Sequence, residues 1–258
     1  MKYHKKKGRF VHRLTIVLLS VGVIFAMCFG FVKHKVDAIE FVDGFTYTAH
    51  TGCVDTKDNS LEAIETGVLY GADIVEFDVR YYKGNPVLAH DKPNGKEISL
   101  EKAFLKVKEY EGLRVNVDIK SVEHLYTVGE AAEKTGVKDR IFFTGINEED
   151  VARVKEDCPD IDYYLNVSVL PKRKQTDEYL LSLVNKVKDC GAIGINLNKD
   201  NATKELVEIF HQNGLLVSIW TVNDFKDIYK VLSFEPDNIT TRRPDRLQKV
   251  LADMNYGK

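Results

Sequence analysis

Eight β-type runs that alternate strictly with eight amphipathic stretches predict an α/β fold, a parallel (β/α)8 barrel, preceded by one N-terminal transmembrane helix. Three observations carry that expectation. The alternation calls for a parallel sheet wrapped by helices, and eight units in about 215 residues suit a closed barrel near the lower end of its usual size. The polar residues of several strands share one face and lie toward the carboxyl ends. A 19-residue uncharged run, Leu14 to Val32, follows a basic amino terminus. A doubly wound open sheet is the alternative, but it would need no eighth unit.

The amino terminus is read first. Residues 1–13 hold six of the 37 Lys and Arg residues and none of the 39 acids, so the remainder is acidic by eight. The run 14–32 spans roughly 28 Å as a helix, close to the hydrocarbon thickness of a bilayer. The positive-inside bias makes 1–13 a cytosolic tail, 14–32 a signal anchor in the cell membrane and 33–44 a linker, with residues 45–258 forming an extracytoplasmic barrel. A cleaved secretory signal is the rival reading, but its apolar core would be shorter and would end at a small-x-small site. A lipoprotein reading of Cys28 is disfavoured by Met27, where a small residue is wanted.

The barrel strands are expected over Phe45–His50, Ala72–Arg80, Arg114–Lys120, Arg140–Thr144, Ile161–Val167, Ala192–Leu197, Leu215–Val222 and Asp237–Thr241. Helices are expected to begin near Ser60, Ser99, Val122, Glu148, Thr176, Thr203, Asp224 and Pro244, several behind Asp, Asn or Ser start signals such as Asp58-Asn59-Ser60. Gly71, Gly136, Gly191 and Gly214 fall where helices should stop. One hairpin breaks the rhythm, turning at Lys83-Gly84-Asn85-Pro86 before His90. No internal repeat, low-complexity linker or second domain is evident.

The acidic balance of the barrel argues against a non-specific nucleic-acid binder. Beyond Cys28, the cysteines Cys53, Cys158 and Cys190 are an odd, dispersed set with no metal spacing, and they read as small apolar residues rather than a disulfide framework.

Period-two alternation puts Glu76 and Asp78 on one strand face, and Asn116, Asp118 and Lys120 on one face of the next strand. Thr46, Thr48 and His50 share a face, as do Asn196 and Asn198. Barrel interiors are normally filled by branched apolar side chains, so inward polar residues at the carboxyl ends are costly unless paired or used. Taken singly, each is an ordinary charged strand face or exposed histidine. Together, Glu76, Asp78 and Asp118 converge on one mouth, where three carboxylates call for a hard cation such as Mg2+ or Ca2+. His50 and His90 end β-runs on the same side and suit general acid and base, and Lys120 is placed to hold an anion.

The order of these motifs resembles the glycerophosphodiester phosphodiesterase family, in the superfamily that includes phosphatidylinositol-specific phospholipases C. The similarity runs from residue 46 to about 247. The family's His-Arg-Gly is similar to His50-Thr51-Gly52, and its Glu-Asn-Thr-Leu to Asp58-Asn59-Ser60-Leu61. Its Gly-Ala-Asp-x-x-Glu-x-Asp-Val is matched from Gly71 to Val79, and its Val-x-x-His-Asp from Val87 to Asp91. Its Glu-Ile-Lys resembles Asp118-Ile119-Lys120. Its Trp-Thr-Val-Asn is matched from Trp220 to Asn223, and its Ile-x-Thr-x-x-Pro from Ile239 to Pro244.

The resemblance implies a TIM barrel and a metal-dependent hydrolase that cleaves a glycerophosphodiester into an alcohol and glycerol 3-phosphate; the run 14–32, outside the resemblance, adds the membrane anchor. By the resemblance, Glu76, Asp78 and Asp118 would bind the metal and His50 and His90 would be the acid/base pair. Lys120 would contact the phosphate, and Trp220 would line the substrate pocket. The partner implied is a phosphodiester small molecule or lipid headgroup, and the N-terminal run adds the membrane through the N-terminal helix. Three departures stand out. Thr51 replaces the family's Arg, Asp118 replaces Glu and reaches about one methylene less far, and the segment from Lys92 to Ser99 is short. A phospholipase-like enzyme that forms a cyclic phosphate, a barrel that binds anionic envelope ligands without turnover, and a metal-using lyase or aldolase are the competing readings.

Overall fold

The computed structural model describes residues 41–254. The basic tail 1–13, the predicted anchor 14–32 and most of the linker lie outside the described residues. Among the described residues, no helix is long and apolar enough to cross a membrane. Residues 41–254 belong to one compact unit.

Nine strands run β1 (Thr46–Ala49), β2 (Ile74–Tyr82), β3 (Asn85–Leu88), β4 (Arg114–Ile119), β5 (Ile141–Ile146), β6 (Tyr163–Asn166), β7 (Gly194–Asn198), β8 (Leu216–Trp220) and β9 (Asn238–Thr241). The helices are α1 (Leu61–Leu69), α2 (Leu100–Lys108), α3 (Tyr126–Thr135), α4 (Val151–Asp157), α5 (Asp177–Cys190), α6 (Lys204–Gln212), α7 (Phe225–Leu232) and α8 (Pro244–Asp253). All strands but β3 pair in parallel, and β1 closes the ring by pairing with both β2 and β9. This is the eight-stranded parallel barrel that the alternation predicts. The remaining strand, β3, pairs antiparallel with the end of β2 across a Lys83-Gly84 turn in which both residues have positive φ.

Four of the eight described α-helices start where short hydroxyl side chains cap them. Ser60, Ser99, Thr176 and Thr203 each accept the backbone N–H three residues on. Two expected starts moved. The helix expected near Val122 begins at Tyr126, because Leu125 is fully buried and the Thr127 hydroxyl bonds back to the His124 carbonyl. At Glu148 the Asn147–Asp150 capping box closes a single 3-10 turn, and the α-helix begins at Val151.

Packing follows the two-faced strands. On β2, Val75, Phe77 and Val79 are buried toward the helices, with the Phe77 ring 6.4 Å from Phe104 of α2. Burying each such side chain favours folding by about 1.5–3 kcal/mol. The amino-terminal end of the barrel is plugged by Ile74, Phe142 and Tyr164. Above the plug the interior is polar and partly bonded within itself, with Asn166 Oδ1 and Asn196 Oδ1 left without a partner among the described residues. Asn238 Oδ1 accepts from Thr48, Ser218 and Thr240, and Asn116 accepts from Thr144. Cys53, Cys158 and Cys190 are free and buried, as expected of small apolar residues.

Candidate active site

Strand register assembles the acidic cluster. Glu76 and Asp78 lie two residues apart on β2, so both point into the barrel. In the β2–β4 ladder Glu76 stands opposite Asn116 and Asp78 opposite Asp118. One carboxylate oxygen from each of Glu76, Asp78 and Asp118 lies within 4.8 Å of the others. Glu76 and Asp78 are 7% and 2% exposed.

Burial, and then the charges of Asp118 and Asp78, push the Glu76 carboxyl well above the usual carboxylate range. Burial also raises Asp118, against the pull of Lys120. Such a cluster is stable in its ionised form only beside positive charge. Its all-oxygen donor set fits a divalent cation of the Mg2+ or Ca2+ type.

Lys120 follows β4, and its Nζ sits 3.0 Å from Asp78 Oδ1 and 2.6 Å from Asp118 Oδ2. Burial alone would lower this amine, but the Asp118 and Asp78 charges hold it above its ordinary value. The lysine that the sequence offers as an anion ligand is thus also the counter-ion of the carboxylates.

His50 follows β1, with Nε2 3.8 Å from Glu76 Oε1 and Nδ1 3.1 Å from the Thr51 carbonyl. Burial, then the Arg242 charge, lowers its pKa below the ordinary histidine value. His90 follows β3 on the rim, with its side chain 64% exposed and Nδ1 3.1 Å from Asp91 Oδ1. Arg80 anchors this corner by donating from Nε to the His90 carbonyl at 2.6 Å. Trp220 closes the far wall from the end of β8, and its Nε1 is buried with no partner among the described residues. All seven residues singled out in the sequence line one cavity of about 570 Å³ at the carboxyl ends of the strands.

Three further residues shape the site. Asn59, at φ 55°, donates from Nδ2 to Asp78 Oδ2 at 2.9 Å and accepts the Asp78 backbone N–H at 3.0 Å. Gly145, at φ 76°, sits where the β5–β6 register shifts, and a Cβ there would overlap the Ile119 carbonyl and the Asp118 carboxylate. Arg242 lines the cavity from the end of β9. The sequence shows Asn59 inside a helix-start cluster and Arg242 inside a closing motif, and neither signal points to the mouth by itself. Gly145 carries no motif at all.

The model of the glycerophosphoryl diester phosphodiesterase family matches residues 94–246. The chain belongs to this family. By that membership it is a phosphoric diester hydrolase. A glycerophosphodiester phosphodiesterase of Bacillus altitudinis is 24% identical over 237 residues, covering 76% of this chain and 94% of the relative. Among solved structures, an Oleispira antarctica phosphodiesterase in complex with sn-glycerol 3-phosphate superposes with a TM-score of 0.68 at 17% identity, over 80% of this chain and 96% of that one. A Thermotoga maritima glycerophosphodiester phosphodiesterase gives a TM-score of 0.64 at 21% identity, over 80% of this chain and 98% of that one. The family match includes Asp118, Lys120 and Trp220. His50, Glu76, Asp78 and His90 precede it; Glu76 and Asp78 join the site through the β2–β4 ladder, His90 through the β2–β3 hairpin and His50 through the closure of β1 onto β9.

Proposed function

We propose that the protein is a metal-dependent glycerophosphodiester phosphodiesterase in which Glu76, Asp78 and Asp118 hold a divalent cation and His50 and His90 transfer the protons. The observation that carries this reading is the convergence of the three carboxylates within 4.8 Å in a cavity that both histidines line. Bound there, a cation would supply Lewis-acid stabilisation to the phosphoryl oxygens. One imidazole removes the proton from the attacking water or substrate hydroxyl, and the other protonates the alkoxide released when the P–O bond breaks. Lys120 adds positive charge beside the carboxylates, and the Trp220 indole walls the pocket. The reaction converts the diester and water to an alcohol and glycerol 3-phosphate.

The test is hydrolysis of glycerophosphodiesters by the full chain in detergent, after EDTA and again after adding Mg2+ or Ca2+. The expected result is activity restored by metal and absent in His50→Ala, His90→Ala and Glu76→Gln. Undiminished turnover in EDTA, or in either histidine variant, would sink the reading. A cyclic phosphate seen by phosphorus NMR would favour the phospholipase-like reaction instead.

The reading extends to location. The basic tail and the uncharged run 14–32 support a single-pass anchor in the cell membrane with the barrel outside the cytosol. Such an anchor would tether the barrel to a membrane, whose lipid headgroups are one source of phosphodiesters. Protease treatment of intact cells should remove the barrel, and its full protection would refute the orientation.

A further inference from the structure

We infer that Arg242 is the phosphate-binding guanidinium of this enzyme, delivered from the end of β9 to the corner of the mouth where Thr51 leaves none. The inference rests on a phosphodiester being the substrate.

Thr51 cannot supply the charge. It is 2% exposed, and its hydroxyl accepts the Asn59 backbone N–H at 2.5 Å, so it is a strut of the loop. Ala49 and Thr241 are register partners on adjacent strands, so the residues after them emerge side by side. Arg242 therefore reaches the same corner from the neighbouring strand. Its backbone is pinned on both sides, by its N–H on Asn223 Oδ1 at 2.9 Å and by the Val54 N–H on its carbonyl at 2.9 Å.

Its side chain is aimed as well as tethered. Nη1 donates to the Thr51 carbonyl at 2.9 Å and to Asp58 Oδ1 at 2.7 Å, and Nη2 donates to Asp58 Oδ2 at 3.3 Å. Those contacts use three of the five N–H groups of a guanidinium. The Nε–H and the second Nη2–H remain, and they share one edge of the planar fork. No described residue partners that edge, and the side chain is 38% exposed where it lines the cavity. A free Nε/Nη2 edge matches two oxygens of a phosphate bidentately. Lys120, the other permanently cationic residue lining this cavity, directs its ammonium at Asp78 and Asp118. Arg242 lines the same cavity as His50 and Glu76.

The experiment separates a phosphate ligand from a loop latch. Binding of glycerol 3-phosphate and of inorganic phosphate to the full chain with Mg2+ or Ca2+ present is measured by calorimetry, alongside kinetics on a glycerophosphodiester. Arg242→Gln should weaken glycerol 3-phosphate about ten- to hundredfold, the worth of a charge-assisted pair, and lower kcat/KM by at least as much, with cation binding unchanged. Asp58→Asn removes the tether but keeps the guanidinium, and should retain phosphate binding within about threefold of the parent. Arg242→Lys should recover part of the affinity as a point charge. Parental affinity in Arg242→Gln, equal losses in Arg242→Gln and Asp58→Asn, or no binding of either anion to the parent chain would each overturn the assignment. A parent chain that binds glycerol 3-phosphate through Arg242 yet hydrolyses no diester would refute the proposed activity and leave this inference standing.

Discussion

Replacing Asn59 should damage the acidic cluster without disturbing the helix that Asn59 precedes. Ser60, rather than Asn59, caps α1, so the amide of Asn59 is free to bracket Asp78. In Asn59→Gly the left-handed backbone at φ 55° is kept at no steric cost, and two hydrogen bonds vanish. The Nδ2 bond to the Asp78 carboxylate, 2.9 Å long, has a charged acceptor and contributes about 1.5–3 kcal/mol. The Asp78 N–H, now without its 3.0 Å acceptor in a residue 2% exposed, costs about 1–3 kcal/mol. Water entering the gap favours the lower ends, giving a loss of about 3 kcal/mol, or roughly 6–12 °C in Tm for a domain of this size. Asn59→Ala should lose about 1–2 kcal/mol more, because alanine resists the left-handed region. Scanning fluorimetry of both variants with and without Mg2+ or Ca2+, and calorimetric titration of the cation, are the assays. Cation affinity should fall at least tenfold in both variants. If Asn59→Gly melts within about 2 °C of the parent and binds cation equally well, the amide does not hold Asp78 and the reasoning fails.

Other predictions concern the cation, the bulge and acid sensitivity. Mg2+ or Ca2+ at a hundred times its dissociation constant should stabilise the parent by about 2.7 kcal/mol, while Glu76→Gln should melt no lower than the parent in EDTA yet show no shift with metal; a retained shift would remove Glu76 from the ligand set. Gly145→Ala should lower Tm by about 2–8 °C through its positive φ and the overlap with Asp118, and should weaken cation binding, whereas an unchanged melt would mean that β5 has slack there. Arg243 holds the Asp245 carboxyl below its ordinary range through bonds of 2.8 and 2.5 Å. A carboxyl depressed in the folded state stabilises above its unfolded pKa of about 3.9 and loses that contribution as pH falls further. Asp245→Asn should therefore cost about 1 kcal/mol at pH 7, and the gap from the parent should close below about pH 4. A gap constant from pH 7 to 3 would exclude the linkage.

The chain order of strands and helices was legible because each barrel unit announces itself locally. An apolar β-run and an amphipathic stretch recur eight times, and four of the eight helices are capped by Ser60, Ser99, Thr176 and Thr203 as their residue types predict. The candidate site was legible for a related reason. Period two put Glu76 and Asp78 on one face, and the same rule put Asp118 beside Lys120. Local signals failed where long-range contacts set the boundary. α3 starts late, at Tyr126, where Leu125 is drawn into the core.

By itself the sequence determined the number and order of elements and which faces are polar, because those depend on side-chain period and on caps within a few residues. It also supplied the seven side chains that meet at the mouth. Only the tertiary structure decided how they meet. Closing β1 onto β9 placed Arg242 on the Thr51 carbonyl across 191 residues of chain, and the β2–β4 register set Asp78 opposite Asp118. Asn59 acts on Asp78 from 19 residues away, and the missing Cβ of Gly145 makes room for Asp118 on the neighbouring strand. Such contacts depend on which strand ends become neighbours when the barrel closes, and no local pattern encodes that.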